Sequence, residues 1–199
     1  RAPDPELGYS RRDALLTLAF WSVTSALASH ALLVTGITFH IVDLGASAGL
    51  DRAAAVEVFL PMAVVSTATG LIGGALGDRL SVRVLLILML AFEALGVAAC
   101  ADLARHFWWA VLGLGVAGGL FGPTSTLAYP RLFGRRHLGA IVGVEMMSLV
   151  VASALGPSLL AGSKSLFASY APALYASLVL PAVAAGLVLV FRPPAGATA

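Results

Sequence analysis

The chain has 199 residues, 59% of them hydrophobic and 11% charged, with a formal net charge of +2 and a mean hydropathy of +0.95. Soluble domains carry about a quarter charged residues, so the composition excludes an ordinary water-facing enzyme. No basic run offers a nucleic-acid surface, and the single cysteine, Cys100, has no partner within the chain and reads as packed or lipid-facing filler.

Six apolar runs follow one another and read as helices over 13–42, 53–76, 82–101, 108–127, 138–161 and 168–191. A helix needs ~20 apolar residues to cross ~30 Å of hydrocarbon, and each run supplies about that many. The fold class is therefore all-α: a polytopic membrane protein with six transmembrane helices, whose first partner is the lipid bilayer. The polar opening Arg1-Ala2-Pro3-Asp4-Pro5-Glu6 reads as a linker covering 1–12, the bundle covers 13–192, and 193–199 reads as a tail. Arg1, Arg11, Arg12, Arg79, Arg83, Arg131, Arg135, Arg136 and Arg192 fall on one side of the alternating runs, against Arg52, Arg105 and Lys164 on the other. Excess Lys and Arg mark the cytoplasmic side. Both termini are expected there, in a multi-pass protein of the cell (inner) membrane, with Trp108, Trp109 and Tyr170 at the outer interface.

In the first run Ser22, Ser25, Ser29, Gly36 and His40 point nearly the same way at ~100° per residue. Such a stripe faces protein or water, either as a substrate-facing surface or as helix–helix hydrogen bonds. His30 lies off the stripe and deeper, open to proton transfer or a structural role. Asp43 and Glu57 lie near outer ends and reach water. The turn from Gly73 to Arg83 packs one acid and two arginines between apolar segments. Glu93, central in the third run, is expected to make a structural hydrogen bond. In the fourth run Gly115 and Gly119, and Gly118 and Gly122, form small-xxx-small pairs that favour close helix approach. Gly118, Phe121, Ser125 and Tyr129 share another face of it. Glu145, early in the fifth run, is open to proton coupling or to a local ion pair with Arg135 or Arg136, the pair being favoured. Gly156-Pro157 is expected to kink that helix.

No His-Glu-x-x-His, no Gly-x-x-x-x-Gly-Lys-Ser/Thr and no cluster with metal-ligand spacing occurs. No enzymatic activity, metal or cofactor is expected.

The segment Gly74-Ala75-Leu76-Gly77-Asp78-Arg79-Leu80-Ser81-Val82-Arg83 resembles the signature loop of the major facilitator superfamily, Gly-x-Leu-Ala-Asp-Arg-x-Gly-Arg-Arg/Lys. Gly74, Leu76, Asp78, Arg79 and Arg83 match; Ser81 replaces the second glycine and Val82 one basic residue. The loop sits between the second and third runs, as it does in each half of that family. Pro130 to Gly143, containing Phe133-Gly134-Arg135-Arg136, is similar to the approach to the eleventh helix of bacterial facilitators, and Leu155-Gly156-Pro157 is similar to that helix. The stretch 39–54, with His40, Asp43 and Gly45, loosely resembles the monocarboxylate and oxalate/formate branch.

The resemblance implies helices seven to twelve of a twelve-helix transporter, one 3+3 inverted-repeat half that requires an N-terminal six-helix half as partner. It implies secondary active transport of a small solute, such as an organic anion, by alternating access as a symporter or antiporter. The first and fourth helices would line the cavity, giving Ser25, Ser29, His40, Phe121 and Ser125 as substrate-cavity candidates and His30 and Glu145 as proton-coupling candidates. Gly74, Asp78, Arg79 and Arg83 would form a gating loop, with Asp78 as a latch closed against the other half. The alternative is a non-transporting six-helix scaffold or partner-binding module.

Overall fold

The computed structural model describes residues 8–77 and 79–194. Asp78 therefore lies outside the described residues, as do most of the linker and tail. The described regular structure is helical: α1 (Arg11–Leu15), α2 (Leu18–Ser47), α3 (Arg52–Val56), α4 (Phe59–Gly77), α5 (Val82–Cys100), α6 (Leu103–Phe133), α7 (Leu138–Phe167), α8 (Ala171–Ser177) and α9 (Val179–Val190). Taking α3 with α4 and α8 with α9, six spans are long and apolar enough to cross a membrane. The chain is a multi-pass membrane protein.

Local chemistry explains where the boundaries depart from the hydropathy. The first span starts later than residue 13 because the Thr17 side chain accepts from Phe20 N–H and restarts the helix after α1. The second span breaks before Phe59 and the sixth at Leu178. Pro61 and Pro181 lie four residues after Glu57 and Ser177 and have no N–H to return to those carbonyls. The fourth span runs past residue 127 to Phe133, where Gly134, at φ 76°, ends it in a conformation that favours glycine. At its start a turn from Leu103, capped by Asp102 through Arg105 N–H, is set off from the rest by a kink at His106, whose backbone is non-helical (φ −116°, ψ 25°). In the fifth span, α7 runs from Leu138 to Phe167 without a break, so Gly156-Pro157 does not interrupt it.

Three helix pairs cross at glycine–glycine contacts. Gly36 meets Gly156 where α2 crosses α7, Gly70 meets Gly119 where α4 crosses α6, and Gly96 meets Gly113 where α5 crosses α6. In each, one glycine lies against the carbonyl four residues before its partner: Gly156 on Leu32 O, Gly119 on Ser66 O, Gly113 on Phe92 O. Without a Cβ the backbones come close enough for dispersion and Cα–H···O contacts, which replace the hydrophobic drive that lipid surroundings lack. Of the small-residue pairs on α6, Gly115 and Gly119 serve this approach, while a Cβ on Gly122 would meet open space.

The packing is uneven. α2 and α6 form the centre, with α5 and α9 behind them, whereas α4 packs chiefly on α6 and α7 chiefly on α2. Only 11% of the α3–α4 window and 22% of the α7 window is buried, against 50% for α5 and for α6. Leu60, Val64, Leu71 and Ile72 on α4, and Met146, Met147, Val150 and Val151 on α7, are exposed.

The arginine-rich end is tied together internally. Arg83 donates to Phe191 O at 2.6 Å and lies 5.2 Å over its ring, capping the carbonyl end of α9. Arg131 donates to Leu80 O at 3.1 Å, and Tyr9 N–H to Phe133 O at 2.8 Å.

Candidate functional site

α2 carries His30 about 18 Å from its start and about 25 Å from its end, at 1.5 Å per residue, so the imidazole sits deep in the span. An ionisable side chain there costs about 2.5–3.5 kcal/mol on insertion scales and needs a partner. That partner is Glu93 on α5, fully buried, whose Oε2 lies 3.7 Å from His30 Nδ1. Ser29 Oγ donates to the other carboxylate oxygen, Oε1, at 2.7 Å. Neither His30 Nδ1 nor Glu93 Oε2 makes a hydrogen bond among the described residues, so each faces chiefly the other.

On its far side the imidazole borders open space. It stacks on Phe121 of α6, with ring centroids 5.2 Å apart and planes at 30°. Gly118, one turn earlier, leaves room beside His30 Nε2 and Ser66 Oγ; a Cβ there would sit 4.0 and 3.5 Å from them. These groups border a cleft of about 230 Å³ between α2, α4, α5 and α6, walled mainly by apolar residues such as Ile37, Met62 and Leu114. Its polar groups come from His30, Thr38 and Ser66, with the Cys100 thiol also in the wall.

The polar stripe on α2 does not act as one surface, because neighbouring helices cross it at an angle. Ser22 bonds back to Leu18 O, and half-buried Ser25 to Ser22 O. Ser29 turns inward to Glu93, a helix–helix hydrogen bond of the kind that is one of the two readings of the stripe. His40 meets α7 and the α7–α8 turn: Nε2 lies 3.1 Å from Pro157 O and Nδ1 3.3 Å from Tyr170 Oη.

Tyr170 donates to Asp43 Oδ2 at 2.8 Å, and Lys164 lies 5.1 Å over its ring while donating to Ser47 Oγ. His40 thus belongs to a clasp at the end of the bundle away from the arginine-rich turns, and Tyr170 is buried in it. Burial, then the hydrogen bond and charge of Asp43, push the Tyr170 hydroxyl up to about 12. Asp43 is exposed, as expected of a group near the end of its helix, and one of its oxygens also accepts from Tyr170.

Phe121 and Ser125 are half-buried on α6, Phe121 against the His30 ring. Glu145 is fully buried, and neither carboxyl oxygen has a hydrogen-bond partner among the described residues. The expected ion pair with Arg135 or Arg136 is absent there; both arginines are exposed at the helix end. Glu145 lies instead near the Tyr129 hydroxyl, which shares a hydrogen bond of 2.9 Å with Thr24. In the turn, Gly74 and Arg79 are exposed, and Arg83 is committed to Phe191.

Sequence reasoning missed the role of Ser66 and of the His30–Glu93 contact. The signal was present, since Glu93 is the one mid-span carboxylate of its run and His30 the one mid-span base of the first. No protein-family model matches the chain, and no curated protein matches it.

Proposed function

We propose that these six spans form one half of a secondary active transporter of the major facilitator type, and that the cleft beside His30 is its share of a central solute cavity. The observation that carries the reading is a cleft that opens beside His30, whose partner Glu93 is buried behind it, together with two helices, α4 and α7, that this chain leaves largely uncovered. In a two-bundle transporter the site forms between the bundles and the helices beside it pack on the other half.

Three further features support it. The turn after α4 carries the resemblance to the signature loop. Several main packing pairs correspond when the first three spans are exchanged with the last three: α2·α7 becomes α6·α4, α2·α9 becomes α6·α5, though the latter packs much more extensively, and α2·α6 and α5·α9 map onto themselves, while α2·α5 and α7·α8 have no such counterpart. A 3+3 repeat would produce the correspondence of the main pairs. A Cβ on Gly74 would meet nothing within 4 Å among the described residues, unlike one on Gly70, Gly73 or Gly77, which would meet α6. A partner bundle is the surface that a glycine on that face would serve.

In this reading the basic end is cytoplasmic and the substrate is a small solute. The test is uptake of labelled solutes into proteoliposomes holding these six spans together with the other six-helix half, using panels of organic anions, organic cations and neutral sugars. Uptake of one class that disappears in Gly118→Leu, which fills the cleft beside His30, supports transport. Absence of uptake for every class in the well-reconstituted two-half protein contradicts it.

A further inference from the structure

We infer that Ser29, His30 and Glu93 form a binding site for one exchangeable proton, opening to the cleft through His30 Nε2. The proton's role as coupling ion rests on the transport reading; the site itself does not.

The argument is one of geometry and charge. His30 is 6% exposed and Glu93 fully buried, so the pair sits where net charge is costly. With a single dissociable proton between them the pair is neutral overall, either as imidazolium with carboxylate or as imidazole with carboxylic acid. Removing that proton leaves a net charge of −1, and adding a second leaves +1. The neutral state is therefore favoured, and it is left only when the cleft supplies an acceptor, water or a compensating charge.

Access is one-sided. Nδ1 faces Glu93 Oε2 at 3.7 Å, while Nε2 faces the cleft beside Gly118. A small closure of the gap lets the carboxylic acid pass its proton to Nδ1. The Nε2 proton then leaves to an acceptor in the cleft, with the electron pair of each broken N–H or O–H bond staying on nitrogen or oxygen. The net change is loss of one proton, with the negative charge left on Glu93, where Ser29 Oγ–H stabilises it. Reversal reloads the site.

The groups facing the pair are few. On α2 there is Ser29; on α6, Phe121 and Gly118; and on α4, Ser66, while from α5 Cys100 lines the cleft and Glu93 stays buried behind His30. No lysine or arginine is among the residues lining the cleft, so neither charge of the pair is neutralised from that side.

The experiment reads protonation directly, in lipid nanodiscs, with no transport step. The His30 ring is followed by carbon and nitrogen NMR, and the Glu93 carboxyl by its infrared band, across a pH series. A shared proton predicts that both signals change at a common midpoint. Glu93→Gln is expected to lower the His30 midpoint by at least ~1 pH unit, a tenfold loss of proton affinity. Ser29→Ala keeps the pair and is expected to raise the carboxyl midpoint, so it serves where Glu93→Gln does not fold. Independent midpoints, with His30 unmoved by Glu93→Gln or the carboxyl unmoved by Ser29→Ala, would overturn the assignment.

Discussion

Replacing Gly156 by alanine isolates the device that holds α2 against α7. A Cβ on Gly156 would overlap Leu32 O and stand 3.0 Å from Gly36 N, both backbone atoms, so neither can swing aside as a flexible side chain would. Helix α7 must move out or the crossing must open, and forced overpacking of this kind costs about 1–3 kcal/mol. The matched control is Gly186→Ala on α9, where a Cβ meets nothing within 4 Å. There the alanine gains about 0.5–1 kcal/mol from helix propensity. Alanine at position 156 gains the same propensity, so that contribution cancels and the two variants should differ by roughly 1–3 kcal/mol. Unfolding in mixed micelles, titrated with a denaturing detergent and followed by circular dichroism, measures the difference. Equal midpoints for the two variants would refute the close-packing argument, and with it the same reading of Gly113 and Gly119.

Other substitutions probe separate parts of the molecule. Arg83→Ala removes a charge-assisted hydrogen bond to Phe191 O and should destabilise by about 1.5 kcal/mol, with α9 becoming more sensitive to proteolysis at its Phe191 end. Glu145→Leu removes a buried carboxyl that lacks a hydrogen-bond partner and should stabilise the fold by about 1–3 kcal/mol; a loss of stability would reveal a partner. Tyr170, with its hydroxyl raised to about 12, should add tyrosinate absorbance only near that pH, read as the difference between the protein and Tyr170→Phe. The sign follows from the direction of the shift. The stabilisation from Tyr170 is complete below the free tyrosine value of about 10 and is lost as pH rises through about 12. An ordinary titration near 10 would place Tyr170 outside the clasp.

The six spans were legible because crossing a membrane imposes a length and polarity that no other requirement mimics. Their ends were less so. Hydropathy is blind to Thr17 restarting a helix, to Pro61 and Pro181 dividing one, and to α6 continuing through Pro123 and Pro130. The site was half legible. Its residue types stood out as charges within apolar runs, but their partners depend on how helices cross. The angular position that places Ser29 and His40 on one stripe sends Ser29 to α5 and His40 to α7. Glu145 shows the converse. Proximity in sequence favoured Arg135 and Arg136, yet the helix turns the carboxyl inward and leaves both arginines outside.

The central claim, a cleft that serves transport, is tested most directly by asking from which side it can be reached. Gly118→Cys in a Cys100→Ala background places one thiol in the cleft, beside His30 Nε2. Right-side-out and inverted vesicles from cells expressing the protein are treated with a membrane-impermeant thiol reagent. Alternating access predicts labelling from both sides, with the two rates shifting in opposite directions when solute or a pH gradient biases the conformation. Labelling from one side only, unchanged by any such bias, would contradict the account and leave a static six-helix scaffold.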